Sequence, residues 1–192
     1  MSGATTGTTI NNGGEQDISG TAIATAARIE FGGLQIVSAG GTAISATVDF
    51  FGGQEVFGTA SGTTIESGGI ENVQSSGTTT GTTINGGTLE LHVGAIAVGA
   101  ITFTGVGGEL FVESASAPNN MISGFAPGDT IDLEQIAFDS SGSVQLLSGN
   151  VLQVTENGTT FALNFDPAQN FSGEFFHLRP FGGAGTEIFY WP

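Results

Sequence analysis

The segment Gly62-Thr63-Thr64-Ile65-Glu66-Ser67-Gly68-Gly69-Ile70-Glu71-Asn72-Val73 decides the fold. An apolar residue between polar ones precedes a Gly-Gly pair, and a second alternating run, Ile70 to Val73, follows it. Such alternation fits half-buried strands joined by a turn, and Gly, Thr, Val and Ile are poor choices for a helix interior.

The same signature recurs in both directions along the chain. Glycine pairs stand at Gly13-Gly14, Gly32-Gly33, Gly52-Gly53, Gly68-Gly69, Gly86-Gly87 and Gly107-Gly108, at intervals of 19, 20, 16, 18 and 21 residues. Before the pairs lie Ile10, Ile29, Val48, Ile65, Ile84 and Phe103; after them lie Ile18, Ile36, Val56, Val73, Leu91 and Val112. Each unit reads as strand, Gly-Gly turn, strand and a Thr/Ser/Gly connector. A period near 19 is the mark of a repeat architecture, and one unit cannot bury its apolar face alone, so the units must stack. The expected fold is therefore all-β: a β-solenoid (β-helix) of about six short coils over residues 1–112, followed by a β-rich, aromatic C-terminal capping or assembly module over 113–192.

That second part begins with the polar connector Ser114 to Asn120 and holds nine of the 15 Phe. Gly149-Asn150 and Asn157-Gly158 mark hairpins joining Val144–Leu147, Val151–Val154 and Thr160–Phe165. A last pair, Phe175–Leu178 and Glu187–Trp191, brackets Gly182-Gly183-Ala184-Gly185.

Composition narrows the function. Among 192 residues, 39% are apolar, so the chain can fold, and 33 are Gly. Arg28 and Arg179 are the only cations against 18 acids, a formal charge of −16 that argues against nucleic acid and anionic membrane surfaces as partners. Cysteine is absent, which removes disulfides and thiolate chemistry. No run of 18 apolar residues predicts membrane insertion, and Met1 to Thr6 lacks the features of a signal peptide.

The units Gly7 to Gly14 and Gly62 to Val73 resemble the strand-loop-strand repeats of bacterial autotransporter adhesin passengers, over residues 7 to about 112. Ile122 to Leu133, with its Gly-Phe-x-x-Gly-Asp-x-Ile-Asp-Leu pattern, is similar to the closing segment of large secreted repeat proteins and, more distantly, of calcium-binding RTX proteins. The resemblance implies an extracellular or cell-surface protein, secreted without a recognisable N-terminal signal peptide, with adhesion, self-association or biofilm matrix building as its work.

Individual residues carry four further expectations. Asp129, Asp132 and Asp139 could gather around calcium if the turn at Gly128 folds back, though Asp129 equally suits a turn residue bonded to backbone amides. No catalytic residues are assigned and no enzyme is expected: His92 and His177 have no metal-spaced partner or nucleophile elbow. The first coil, with Thr8, Thr9 and Ile10, shows no amino-terminal cap and should present unpaired backbone groups. At the other end Ile188, Phe189, Tyr190 and Trp191 either close their own core or dock onto the first coil of another copy.

The function these readings favour is a non-enzymatic structural protein assembling head-to-tail with itself into filaments or a bacterial surface matrix. The alternative is a secreted adhesin fragment that binds host or biofilm glycans through Thr, Asn and exposed Phe.

Overall fold

The computed structural model describes residues 3–191 and is a β-solenoid, with no helix among the described residues. Coil 1 consists of β1 (Ala4–Thr6), β2 (Thr9–Ile10) and β3 (Glu15–Ile18). Coil 2 follows with β4 (Ile23–Thr25), β5 (Arg28–Ile29) and β6 (Leu34–Val37), and coil 3 with β7 (Thr42–Ile44), β8 (Thr47–Val48) and β9 (Gly53–Val56). Coil 4 is β10 (Thr59–Ser61), β11 (Thr64–Glu66) and β12 (Ile70–Val73); coil 5 is β13 (Thr78–Thr80), β14 (Thr83–Asn85) and β15 (Thr88–Leu91). Coil 6 comprises β16 (Ile96–Val98), β17 (Ile101–Thr104) and β18 (Glu109–Val112). A seventh, incomplete coil has only β19 (Met121–Ser123) and β20 (Thr130–Leu133).

Corresponding strands of successive coils pair in parallel, which makes three sheets running the length of the solenoid. The middle sheet stacks Ile10, Ile29, Val48, Ile65, Ile84 and Phe103 in one inward column. The third sheet stacks Ile18, Val37, Val56, Val73, Leu91, Val112 and Leu133. The first sheet was not legible as strand, because its three-residue members such as Thr42–Ile44 and Thr78–Thr80 look like connectors. Its inward column is small, Ala24, Ala43, Ala60 and Thr79, so this side of the cross-section is drawn close to the axis.

Stacking requires glycine at one place in each of coils 2 to 4. A Cβ on Gly33, Gly52 or Gly69 would fall 2.2, 2.3 and 2.3 Å from the carbonyl oxygens of Ile10, Ile29 and Val48 in the preceding coil. The alignment moves the coil 3 pair by one residue relative to the sequence reading. Gly52 takes the close-approach place, and Phe51 occupies the left-handed position held elsewhere by Gly32 and Gly68.

Parallel stacking continues past residue 112 to Leu133, beyond the boundary expected at 113. Two antiparallel elements then close the end. The meander β21 (Ser143–Leu147), β22 (Val151–Glu156) and β23 (Thr159–Phe165) joins the middle sheet through β19, and the hairpin β24 (Phe175–Phe181) and β25 (Gly185–Trp191) joins the third sheet through β20. All three expected hairpin turns are present, with Asn157 and Gly158 both at positive φ. The core is continuous from Ile10 to Tyr190.

Candidate functional site

The two ends of the solenoid differ. At coil 1 no strand covers β1, β2 or β3 on their outer side among the described residues. Ile23 N–H donates to Gly3 O and Gly7 N–H to Thr25 O, so by strand alternation Ala4 and Thr6 turn their backbone groups to the open edge. Thr8 and Ile10 accept from Arg28 and Glu30, which leaves Thr9 facing outward in the same way. On β3 the residues placed there are Glu15 and Asp17, acids on an exposed edge.

A polar column runs through coils 4 to 1 to this end. Gln54 Nε2 donates to Gln35 Oε1 at 2.6 Å, Gln35 Nε2 to Gln16 Oε1 at 2.7 Å, and Gln16 Nε2 to the Thr5 and Thr8 hydroxyls at 3.1 and 3.3 Å. Thr63 donates to Gln54 Oε1 at the inner end. Glu71 holds the same column place in coil 4, fully buried, and accepts the Thr79 and Thr82 hydroxyls. Burial pushes its carboxyl up to about 7. Sequence reading missed this column; the signal was the polar residue at the inward place of Gln16, Gln35, Gln54 and Glu71.

The far end is capped unevenly, each sheet ending on a free edge strand, β16, β21 or β24. Beyond coil 6 the middle sheet carries β19, β23, β22 and β21, the third sheet β20, β25 and β24, and the first sheet ends at β16. Asn120 Nδ2 donates to the Ala97 and Gly99 carbonyls there. Ile188 and Tyr190 face the core, Tyr190 with its hydroxyl on Phe125 O at 3.1 Å, while both edges of β25 are paired. These two residues are therefore part of the cap's own core, and the free edges at the tail lie on β16, β21 and β24, one in each sheet. Phe189 and Trp191 point the other way, beside Phe175, His177 and Arg179.

The three aspartates do not converge. Asp129 accepts the Gly108 and Ala126 N–H groups at 2.8 and 2.9 Å, which makes it the turn residue. Asp139 accepts from the Ser141 amide and hydroxyl, which hold its carboxyl below the ordinary range. Asp132 lies on β20, pushed up to about 8 by burial and by the neighbouring Glu109 and Glu187. Among the described residues no group of three His, Asp or Glu could hold a metal ion, so the calcium placement is not what the fold builds. His92 is bound by Glu113 at 2.8 Å, and His177 stacks on Phe189.

Several concave features remain, among them a cavity beside the cap and an aromatic corner on the solenoid. A cavity of about 800 Å³ lies between the 115–119 connector and β23, with Ile136 and Phe161 in its wall. Glu156 at its margin accepts the Asp139 N–H at 2.7 Å and so belongs to the 139–142 turn. The second is an aromatic corner on coils 2 and 3, where Phe31, Phe50 and Phe51 stay 60%, 56% and 62% exposed. Phe51 packs edge-on against Phe31 at 5.5 Å and Phe50 at 4.3 Å between ring centres. Beside Phe51 a groove of about 320 Å³ crosses the glycine backbones of coils 2 to 4 and ends at Ile70 and Asn72.

No family model matches the chain, and no curated protein matches it in sequence. Among solved structures it is similar to the TibC-catalysed, hyper-glycosylated fragment 55–350 of TibA, an autotransporter adhesin. The match has a TM-score of 0.55 and 32% identity and covers 66% of this chain and 53% of that one. The solenoid thus has a counterpart in an adhesin fragment, of which this chain spans about half the length.

Proposed function

We propose that this chain is a non-enzymatic, adhesin-like structural protein, exposed at the bacterial surface or secreted, that associates with other copies through the outer edge of its first coil. The observation that carries the reading is the contrast between the ends: among the described residues Ala4, Thr6 and Thr9 leave backbone donors and acceptors unpaired on one coil face, while the free edges at the opposite end lie on β16, β21 and β24, which do not form a coil. Backbone pairing across first coils supplies the contact, and it joins like ends because the free edges of the tail, on β16, β21 and β24, do not match the face of a first coil. A filament needs a second contact, for which the exposed Phe175 and Trp191 at the capped end are the candidates. The likeness to TibA supports a surface role, and the outward hydroxyl column Thr47, Thr64, Thr83, Thr102 and Ser123 offers acceptors for glycosylation of the kind that fragment carries.

Glu15 and Asp17 oppose the approach of two first coils, so association should strengthen with salt. Light scattering coupled to size exclusion tests this. The wild-type chain should associate with rising concentration and salt, and Thr6→Pro, whose N–H points away from β4, should remain monomeric with an unchanged circular-dichroism spectrum. A wild-type chain that stays monomeric throughout would contradict the reading.

A second reading, glycan binding by the solenoid flank, is favoured by the exposed aromatic corner at Phe31, Phe50 and Phe51.

A further inference from the structure

Phe51 is an outlier in its own column. Gly32 N–H donates to Phe51 O at 3.0 Å and Phe51 N–H to Gly68 O at 2.9 Å, so the three residues are stacked equivalents. The glycines have φ of 70° and 75°, and Phe51 adopts 56°. A bulky side chain in the left-handed region costs on the order of 1 to 3 kcal/mol, and such positions cluster at functional sites. Here the strained residue gains little burial in return, since its ring is 62% exposed.

The next residue but one departs from its column too. On the outer face of the third sheet Gly53 stands in register between Leu34 and Ile70, with Thr88 and Glu109 beyond. Every neighbour has a side chain there, and Gly53 leaves a gap that opens the groove under Phe51. Unlike Gly52, it does not need to be glycine for stacking: a Cβ would meet only Leu34 Cδ1, at 3.4 Å.

The groove therefore has an aromatic wall, a side-chain-free floor and one polar end. At that end Asn72 donates to Glu55 Oε1 at 3.1 Å, and its own Oδ1 is buried without a partner. A buried acceptor left unpaired is destabilising until a donor reaches it. A ligand that fits needs a flat C–H face for the ring and a hydroxyl donor a short distance away. The volume of about 320 Å³ is at the low end for small-ligand sites. The net charge of −16 disfavours anionic sugars such as uronates and sialic acids.

We propose that the corner formed by Phe51, Gly53 and Asn72 is a subsite for one pyranose ring of a neutral glycan, its C–H face on the Phe51 ring and a hydroxyl donating to Asn72 Oδ1 once that amide turns toward the groove. This deepens the glycan-binding reading and rests on it. The ring's electron-rich face attracts the polarised C–H bonds, and the glycine floor lets the sugar lie against backbone.

The test uses the full chain and two variants on an array of neutral hexose and N-acetylhexosamine oligosaccharides, with sialylated and uronate glycans as the anionic arm. Wild type should bind neutral members and not anionic ones. Phe51→Gly restores the residue its column prefers, so its melting temperature should hold or rise while binding falls at least tenfold. Gly53→Leu fills the groove with the residue found at position 34 and should lose binding to the same extent. Retained binding in both variants would overturn this subsite and leave the glycan reading standing. No binding of wild type to neutral glycans would overturn both. A wild-type dimer that Phe51→Gly dissociates would show the corner to be a contact between copies and also overturn the proposal.

Discussion

The Thr79 hydroxyl donates to Glu71 Oε1 at 2.8 Å in the interior between coils 4 and 5. With Thr82 it gives the carboxyl two neutral donors and no cation. Burial therefore dominates, and the folded Glu71 titrates near 7 against an ordinary 4.5. Because the folded chain keeps a proton that the unfolded chain releases, this contribution is fully present below pH 4.5 and lost as pH rises to about 7. The loss is on the order of 3 kcal/mol. Asp132, raised to about 8, acts in the same sense. Thermal melts should show a chain more stable at pH 5 than at pH 8, and Glu71→Gln should raise the melting temperature mainly at the higher pH. A Glu71→Gln effect equal at both would exclude the titration.

The glutamine column makes a separate prediction. Gln35→Leu leaves the Gln54 amide and the Gln16 oxygen without partners, at a cost of about 2 to 4 kcal/mol. Replacing Gln16, Gln35 and Gln54 together by Leu, the residue at equivalent places Leu89 and Leu110, removes both sides of those bonds. In denaturant titrations the triple variant should cost less than the sum of the three single ones.

The cap turns on Phe125, fully buried among Phe103, Phe165, Phe176 and Tyr190. Phe125→Ala should destabilise the chain by about 3 to 5 kcal/mol. Hydrogen exchange should speed up first in residues 159–191, with coils 1 to 4 protected longest.

Asp129 is expected to act as a cap and not as a calcium ligand. Asp129→Ala strands the Gly108 and Ala126 amides and should cost about 1 to 3 kcal/mol in calorimetry. Calcium or chelator should leave the wild-type melting temperature unchanged; a rise with calcium that disappears in Asp129→Ala would restore the metal reading.

Stacking was legible because its apolar columns repeat: Ile10, Ile29, Val48, Ile65 and Ile84 announce the middle sheet, and Asn157-Gly158 announces a hairpin by its backbone preference. The first sheet was hidden because three residues with a single inward Ala or Thr carry no period that a connector lacks. Register failed in coil 3, where Gly52-Gly53 copies the pair motif one residue late and only interstrand hydrogen bonds reveal Phe51 in the glycine place. The fate of Ile188 to Trp191 depended on which neighbour β25 finds, a long-range pairing with β20 that alternation alone cannot choose. The structure divides that strand, with Ile188 and Tyr190 inward and Phe189 and Trp191 outward, a division that four consecutive apolar residues do not show in the sequence.

The central claim is that copies join at the β1–β3 edge of coil 1. Hydrogen exchange measured at low and high protein concentration reads that edge directly. The account expects amides of β1 to β3, above all Ala4, Thr6 and Thr9, to gain protection as concentration rises, with β21 to β25 unchanged. Protection in coil 1 that does not depend on concentration, or a gain confined to the cap, would contradict it.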